Sequence, residues 1–243
     1  MLPHLLLAFD FPPMSGGISR WMAELARHYP PQGLVVSTGQ FEGSEDVDET
    51  FPNRVDRLSV ASRRLKSIQG LLLWSRRVAT LCRALALGFI WCGNVKPAAY
   101  PASWARERTG VPYGIIVHGF DLFNLQHQAH QSAVKRRIAR ALFRPAAVIV
   151  ANSRYTRDLC LNVCREIGAD RDSSEIRVVP LGTDPAYFRP GVDTSSIRVR
   201  YGLGEGRWLL TVARLVSHKG VDTVIRALAA GQPVAGSPVR RGR

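Results

Sequence analysis

A chain of 243 residues, 46% hydrophobic and 21% charged, is long enough for one large domain or for one domain with part of another. No apolar run approaches the roughly 18 to 20 residues that span a bilayer, and the N-terminal LLLAF lacks the basic flank of a signal peptide. The formal charge of +14 asks for an anionic partner, while four cysteines without a CxxC pair or partnered histidines point to reduced thiols and a cytoplasmic setting.

In chain order, HLLLAF (4–9) reads as a buried strand, and the helix after it gathers Ile18, Trp21, Met22, Leu25, Ala26 and Tyr29 on one face. Between them DFPPMSGG offers Ser15 as an N-cap and Gly16-Gly17 as a place where a ligand can approach the backbone. Further strands are expected at GLVVST (33–38), VDRLSV (55–60), GFIWC (88–92), YGIIV (113–117), AAVIV (146–150) and IRVV (176–179), with helices filling most of the gaps. Residues 62–87 and 134–144 mix arginine and lysine with apolar residues such as Leu71, Leu72, Trp74 and Val78. Each reads as a core-packed helix with a solvated basic face, or as a helix lying on an anionic membrane surface. Cys160 and Cys164 share a helical face and are expected to pack, since two thiols without further ligands make a poor metal site.

Such β/α alternation predicts an α/β fold, a parallel sheet with both faces covered, over residues 1–180. Residues 181–206 are punctuated by proline and glycine and read as an interdomain linker with one short helical piece near Thr194 to Tyr201. Residues 202–206 precede a strand, so GLGEG reads as a turn and not as a dinucleotide loop. Residues 207–243 then start a second domain: Trp208 to Val212 as a strand, a basic turn with Arg214 and Lys219, and a helix carrying Val221, Val224, Ile225 and Leu228. A cation at a helix start is unfavourable unless an anion lies nearby, and a phosphate would resolve that conflict. The final GQPVAGSPVRRGR has no periodicity and reads as a truncated or frameshifted tail.

Ligands of open α/β sheets bind beyond the carboxyl ends of the strands. Three turns are expected on that rim: Gly16-Gly17, His118 with Asp121, and Arg214 with Lys219. Taken singly they are a tight turn, a structural histidine and surface charges; taken together they would line one cleft.

The series PPMSGGI, VHGFD, ANSRYTRD, IRVVPLGTDPAYFRP and TVARLVSHKGVDTVIRAL resembles the retaining GT-B glycosyltransferases of the large family four, in order and across most of residues 4–230. The resemblance implies two Rossmann-like domains facing a cleft, and transfer from a nucleoside diphosphate sugar with retention of configuration and without a metal or other cofactor. It implies that Arg214 and Lys219 hold the donor diphosphate and that Gly16 and Gly17 approach it from the N-terminal domain. By the same resemblance His118 contacts the transferred sugar, and Asp121 is a candidate for acceptor contacts. Thr183, in the turn Pro180 to Asp184, stands where the family usually has an aliphatic residue. The family continues well beyond the Lys219 helix, with a pair of glutamates that contact donor sugar and ribose.

The acceptor is expected to be lipid-linked or a polysaccharide, with a peripheral position on the inner face of the plasma membrane. Two other readings follow from the residues. One is a non-catalytic fragment that binds an acceptor or an anionic membrane. The other is a nucleic-acid binder, which the charge suggests but which the absence of arginine-interleaved aromatics and of any RNA or DNA motif argues against.

Overall fold

The computed structural model describes residues 2–205 and 208–230 and divides into two compact units between Thr183 and Asp184. The expected tail at 231–243 lies outside the described residues. In the first unit the chain runs β1 (His4–Leu7), α1 (Gly17–His28), β2 (Leu34–Gln40), α2 (Ser44–Asp48), β3 (Arg54–Ala61), α3 (Ile68–Ala84) and β4 (Phe89–Cys92). It continues through α4 (Ala99–Thr109), β5 (Tyr113–Val117), α5 (Phe120–Gln131), α6 (Ala133–Phe143), β6 (Val148–Ala151), α7 (Arg154–Ile167) and β7 (Ile176–Val178).

All seven strands expected over residues 1–180 form and join one parallel sheet in the order β3-β2-β1-β4-β5-β6-β7. Parallel pairing forces a crossover between successive strands, and the helical segments between the apolar runs supply it. The central position explains the composition: β5, YGIIV, is buried along its whole length. β1 sits between β2 and β4, with His4 opposite both Leu34 and Phe89. Strand order therefore reverses between β1 and β4, which makes that crevice the switch point of the sheet.

Two apolar cores flank the sheet. The larger joins Leu5, Leu7, Ile90, Ile115 and Ile149 to residues of α3 through α7, among them Trp74, Val78, Leu142, Cys160 and Cys164. The smaller seats Met22, Ala23 and Ala26 of α1 on Leu6, Leu34 and Val36. The indole of Trp74 donates to Ser37 Oγ at 3.0 Å, so its one polar group is satisfied inside the core. Both basic segments are core-packed helices: α3 buries Trp74, Val78 and Leu81, α6 buries Ala139, Leu142 and Phe143, and Arg83, Arg136 and Arg137 face solvent.

The start of α3 is pressed against a single 3-10 turn, Ser62–Lys66. A Cβ at Gly70 would overlap the Arg64 carbonyl oxygen, a backbone atom that cannot rotate away. Gly70→Ala is expected to lower stability by about 1–3 kcal/mol despite alanine's better helix propensity, read as a fall in the urea midpoint with an unchanged m-value.

The second unit holds α8 (Ser195–Tyr201), a 3-10 turn (Ser217–Lys219) and α9 (Val221–Ala230), and none of its described residues is buried. The expected strand at Trp208 to Val212 does not form; Leu210 and Val212 are each 86% exposed. A strand takes its backbone partners from a neighbour, and among the described residues this unit contains no other strand. Among the described residues no helix is long and apolar enough to cross a membrane.

Candidate functional site

The loop after β1 is the first wall of the switch-point crevice. Ser15 does not cap α1: the N-cap is Gly16, at φ 156° and ψ 159°, a region essentially confined to glycine, and among the described residues no side chain bonds to the first-turn amides. Arg20 N donates to Gly16 O at 3.0 Å, and no acidic residue stands in the first turn. The positive end of the helix is thus left uncompensated. Beside it Ser19 Oγ is buried and has no hydrogen-bond partner among the described residues. A cavity of about 360 Å³ opens here, lined by Pro12 to Gly16, Ser19 and Arg20.

The loop is held from below by Arg57 of β3. Its guanidinium, 7% exposed, donates to Asp48 through Nε at 2.7 Å and Nη2 at 2.8 Å, to Gly39 O at 2.9 Å and to Pro12 O at 2.6 Å. One side chain thereby ties α2 and β2 to the first residue of the Pro-Pro-Met-Ser-Gly-Gly turn.

The second wall comes from the ends of β4 and β5. His118 follows β5 directly, and its Nε2 donates to Gly93 O at 2.6 Å across the β4–β5 gap. That bond puts a proton on Nε2 and leaves Nδ1, which has no partner among the described residues, available to a ligand. The indole of Trp21 stands edge-on to the imidazole with ring centroids 5.1 Å apart. Trp21 lies one turn into α1, so α1 and the residue after β5 are in contact.

Asp121 serves as a brace. One carboxylate oxygen accepts from His118 N at 2.9 Å and Leu122 N at 2.9 Å, and the other from Val95 N at 3.4 Å. Burial pushes its carboxyl up, opposed by the neighbouring His118 and by the three amides. With its acceptors spent on backbone, Asp121 positions His118 and the 93–97 loop.

Sequence reasoning missed a pair inside the same crevice. Asn94 Nδ2 donates to Asp10 Oδ2 at 3.2 Å, while Asn94 Oδ1 is buried with no partner among the described residues. The available signal was positional: Asp10 and Asn94 each follow a strand that flanks the reversal of strand order. A roomier cavity of about 720 Å³ lies at the β2–β3 edge, around Gln40 to Asp46, and contains none of the expected site residues. The switch-point crevice is the stronger candidate, because the His118 imidazole, the Asp10–Asn94 pair and the unpaired Asn94 Oδ1 stand at the carboxyl ends of β5, β1 and β4.

Arg214 and Lys219 belong to the second unit, where both are exposed. The order there is Arg214, the 3-10 turn ending at Lys219, Gly220 and then α9, so Lys219 stands two residues before the helix it was expected to open.

The model for Glycosyltransferase Family 4 matches residues 15–187, more than half of the chain. The chain belongs to that family. It is 29% identical over 235 residues to the GDP-mannose-dependent alpha-(1-6)-phosphatidylinositol monomannoside mannosyltransferase of Mycolicibacterium smegmatis, covering 92% of this chain and 56% of that one. The protein of the same name from Mycobacterium tuberculosis is 26% identical over 234 residues, with the same coverage. The chain thus spans little more than half the length of these relatives. Among solved structures, HepE of Anabaena, in complex with UDP and glucose, superimposes with a TM-score of 0.68 at 21% identity, over 96% of this chain and 59% of that chain. A likeness of that degree shows the shared Rossmann-like fold.

Proposed function

We propose that this family member takes part in glycosyl transfer from a nucleoside diphosphate sugar to a lipid-linked or polysaccharide acceptor, with retention of configuration. The observation that carries the reading is the contact of Trp21, one turn into a helix whose N-terminus is uncompensated, with an imidazole whose Nδ1 has no partner among the described residues. A helix N-terminus of that kind receives phosphate, and a fixed imidazole beside it can accept or donate at a sugar hydroxyl. The relatives' names favour GDP-mannose as donor and a phosphatidylinositol-based lipid as acceptor, hence a peripheral place on a membrane face. In this reading Arg214 and Lys219 supply the cations that hold the diphosphate and stabilise the leaving group.

The decisive experiment is incorporation of labelled mannose from GDP-mannose into phosphatidylinositol-containing vesicles, alongside calorimetric titration of GDP-mannose and UDP-glucose. Absence of both transfer and nucleotide-sugar affinity would overturn the reading. It would leave the second one, a fragment that binds acceptor or anionic membrane without catalysis, which the exposed apolar run at Leu209 to Val212 favours.

Two substitutions probe the donor side. Arg214→Ala and Lys219→Ala should each weaken donor affinity by about 1.5–3 kcal/mol, the worth of a charged hydrogen bond. Gly17 adopts no special φ, and a Cβ there meets nothing within 4 Å. Gly17→Ala should therefore leave the melting temperature unchanged or raised while lowering donor affinity, because only a bound ligand would feel the methyl group. Unchanged donor affinity in all three variants would remove these residues from the site.

A further inference from the structure

A third cavity, of about 390 Å³, opens between α3, α4, α5 and α6, and three lysines line it: Lys66, Lys96 and Lys135. Among the described residues none of the three takes part in an ion pair, although carboxylates elsewhere are committed to arginine, as in Asp48 with Arg57 and Asp56 with Arg77. Lys66 and Lys135 are exposed and Lys96 is half-buried, so water screens part of their mutual repulsion and an entering anion would relieve the rest. Lys96 shows the cost: it is half-buried, and both its burial and the charge of Lys135 pull its pKa down.

The remaining walls suit a particular kind of anion. Gln128 Oε1 accepts from Lys96 Nζ at 3.0 Å and fixes the direction of the ammonium group. Tyr100 lines the same space, and burial pushes its phenol pKa up, so it stays a neutral donor. Leu71 and Ile138 add apolar surface. The volume falls within the range of about 300–1,000 Å³ typical of small-molecule sites, which leaves room for more than a bare ion.

The cavity also adjoins the crevice described above. Lys96 lies two residues beyond Asn94, on the loop that His118 and Asp121 hold through Gly93 and Val95. Lys66 Nζ sits 4.2 Å from the ring centre of Phe9, the neighbour of Asp10. Two of the three cations are thus anchored one short step from the side chains at the switch point.

We infer that this lysine-lined cavity holds a phosphate group of the glycosyl acceptor, an inference that rests on the transfer reading above. Phosphate oxygens would accept from the three ammonium groups and from the Tyr100 hydroxyl. The acceptor's reacting hydroxyl would then be presented toward Asp10, Asn94 and His118. The acceptor class is accordingly a phosphate ester, either a soluble sugar phosphate or the headgroup of a phospholipid.

The test is a binding measurement on the full chain, independent of catalysis. Inorganic phosphate and glycerophosphate are titrated by calorimetry, and sedimentation is compared for phosphatidylcholine vesicles and an equimolar mixture with phosphatidylglycerol. Saturable binding is expected, and Lys96→Gln or Lys135→Gln should each weaken it by about tenfold or more, as loss of a charged hydrogen bond does. The double variant Arg136→Gln with Arg137→Gln, which removes two exposed charges from the same helix outside the cavity, should bind as the wild type does. Thermal melts of all variants report that they fold. Lysine-dependent binding confined to the soluble esters identifies a soluble acceptor, and lysine-dependent sedimentation with the anionic vesicles identifies a lipid headgroup. No saturable binding in either arm, or an equal loss in the arginine variant, overturns the inference. A failure of the transfer reading is distinguishable, because it shows as no sugar moved while lysine-dependent phosphate binding persists. Transfer whose acceptor KM is unaltered by Lys96→Gln would overturn the phosphate site alone.

Discussion

Arg57→Ala is expected to lower the free energy of unfolding by about 3–5 kcal/mol, among the largest effects of any single substitution in this unit. The guanidinium makes four hydrogen bonds to three different elements, and truncation leaves the partly buried Asp48 carboxylate and the carbonyls of Gly39 and Pro12 without their donor. An exposed arginine would contribute far less, because solvent takes over its hydrogen bonds. Arg57→Lys preserves the charge but cannot present the two-pronged fork to Asp48 while reaching both carbonyls, so an intermediate loss is expected. Urea unfolding followed by circular dichroism measures both variants. The Pro12 bond adds a functional consequence: the glycine turn that opens α1 loses its anchor, so Arg57→Ala should also weaken nucleotide-sugar binding. A midpoint within about 0.5 kcal/mol of the wild type would show that the Arg57 network is replaced by water and does not brace the loop.

How far the fold was legible depended on whether the responsible residues were local. The five inner strands announced themselves as short apolar runs, as parallel strands covered on both faces do, while the edge strands β3 and β7 mix apolar residues with Asp56, Arg57 and Arg177. The run at Trp208 to Val212 has the same composition, yet it is irregular and exposed. Strand propensity describes fitness for a partner, and the described part of the second unit offers none. Ser15 failed as a cap for a similar reason. Its residue type and place before the helix were right, but the chain enters α1 through Gly16 in a conformation that removes Ser15 from the capping position.

The site shows the same division. Gly16, Gly17, His118 and Asp121 could be proposed because each follows a recognisable strand, and α1 and the β5 loop do meet through Trp21. Asp121 could not be recognised as a brace, because beside its near neighbours His118 and Leu122 it also holds Val95, which comes from a separate loop. Lys66, Lys96 and Lys135 were invisible as a set. They lie in three different connections, in a chain with 33 lysines and arginines, and only the packing of α3, α4, α5 and α6 gathers them.

His118→Ala should lower turnover in the transfer assay by about 100- to 1,000-fold, the usual consequence of removing one preorganised group that stabilises developing charge. The imidazole is fixed on one side by Gly93 O and on another by the Trp21 edge, so Nδ1 is oriented before any ligand arrives and no reorganisation is needed during reaction. Because the ring is only partly buried and its one protein hydrogen bond reaches a loop carbonyl, the same variant should cost little stability, about 1 kcal/mol. Asp121→Asn makes the informative contrast. The amide keeps one oxygen for backbone donors but turns its NH2 toward an amide hydrogen, so stability should fall by about 1–3 kcal/mol while the imidazole itself remains. If His118 acts on the sugar and Asp121 only positions it, His118→Ala loses turnover without unfolding, whereas Asp121→Asn loses stability and a smaller part of turnover. Wild-type turnover in His118→Ala, measured at saturating donor and acceptor, would remove the imidazole from the chemistry and leave it as a clasp between β4 and β5.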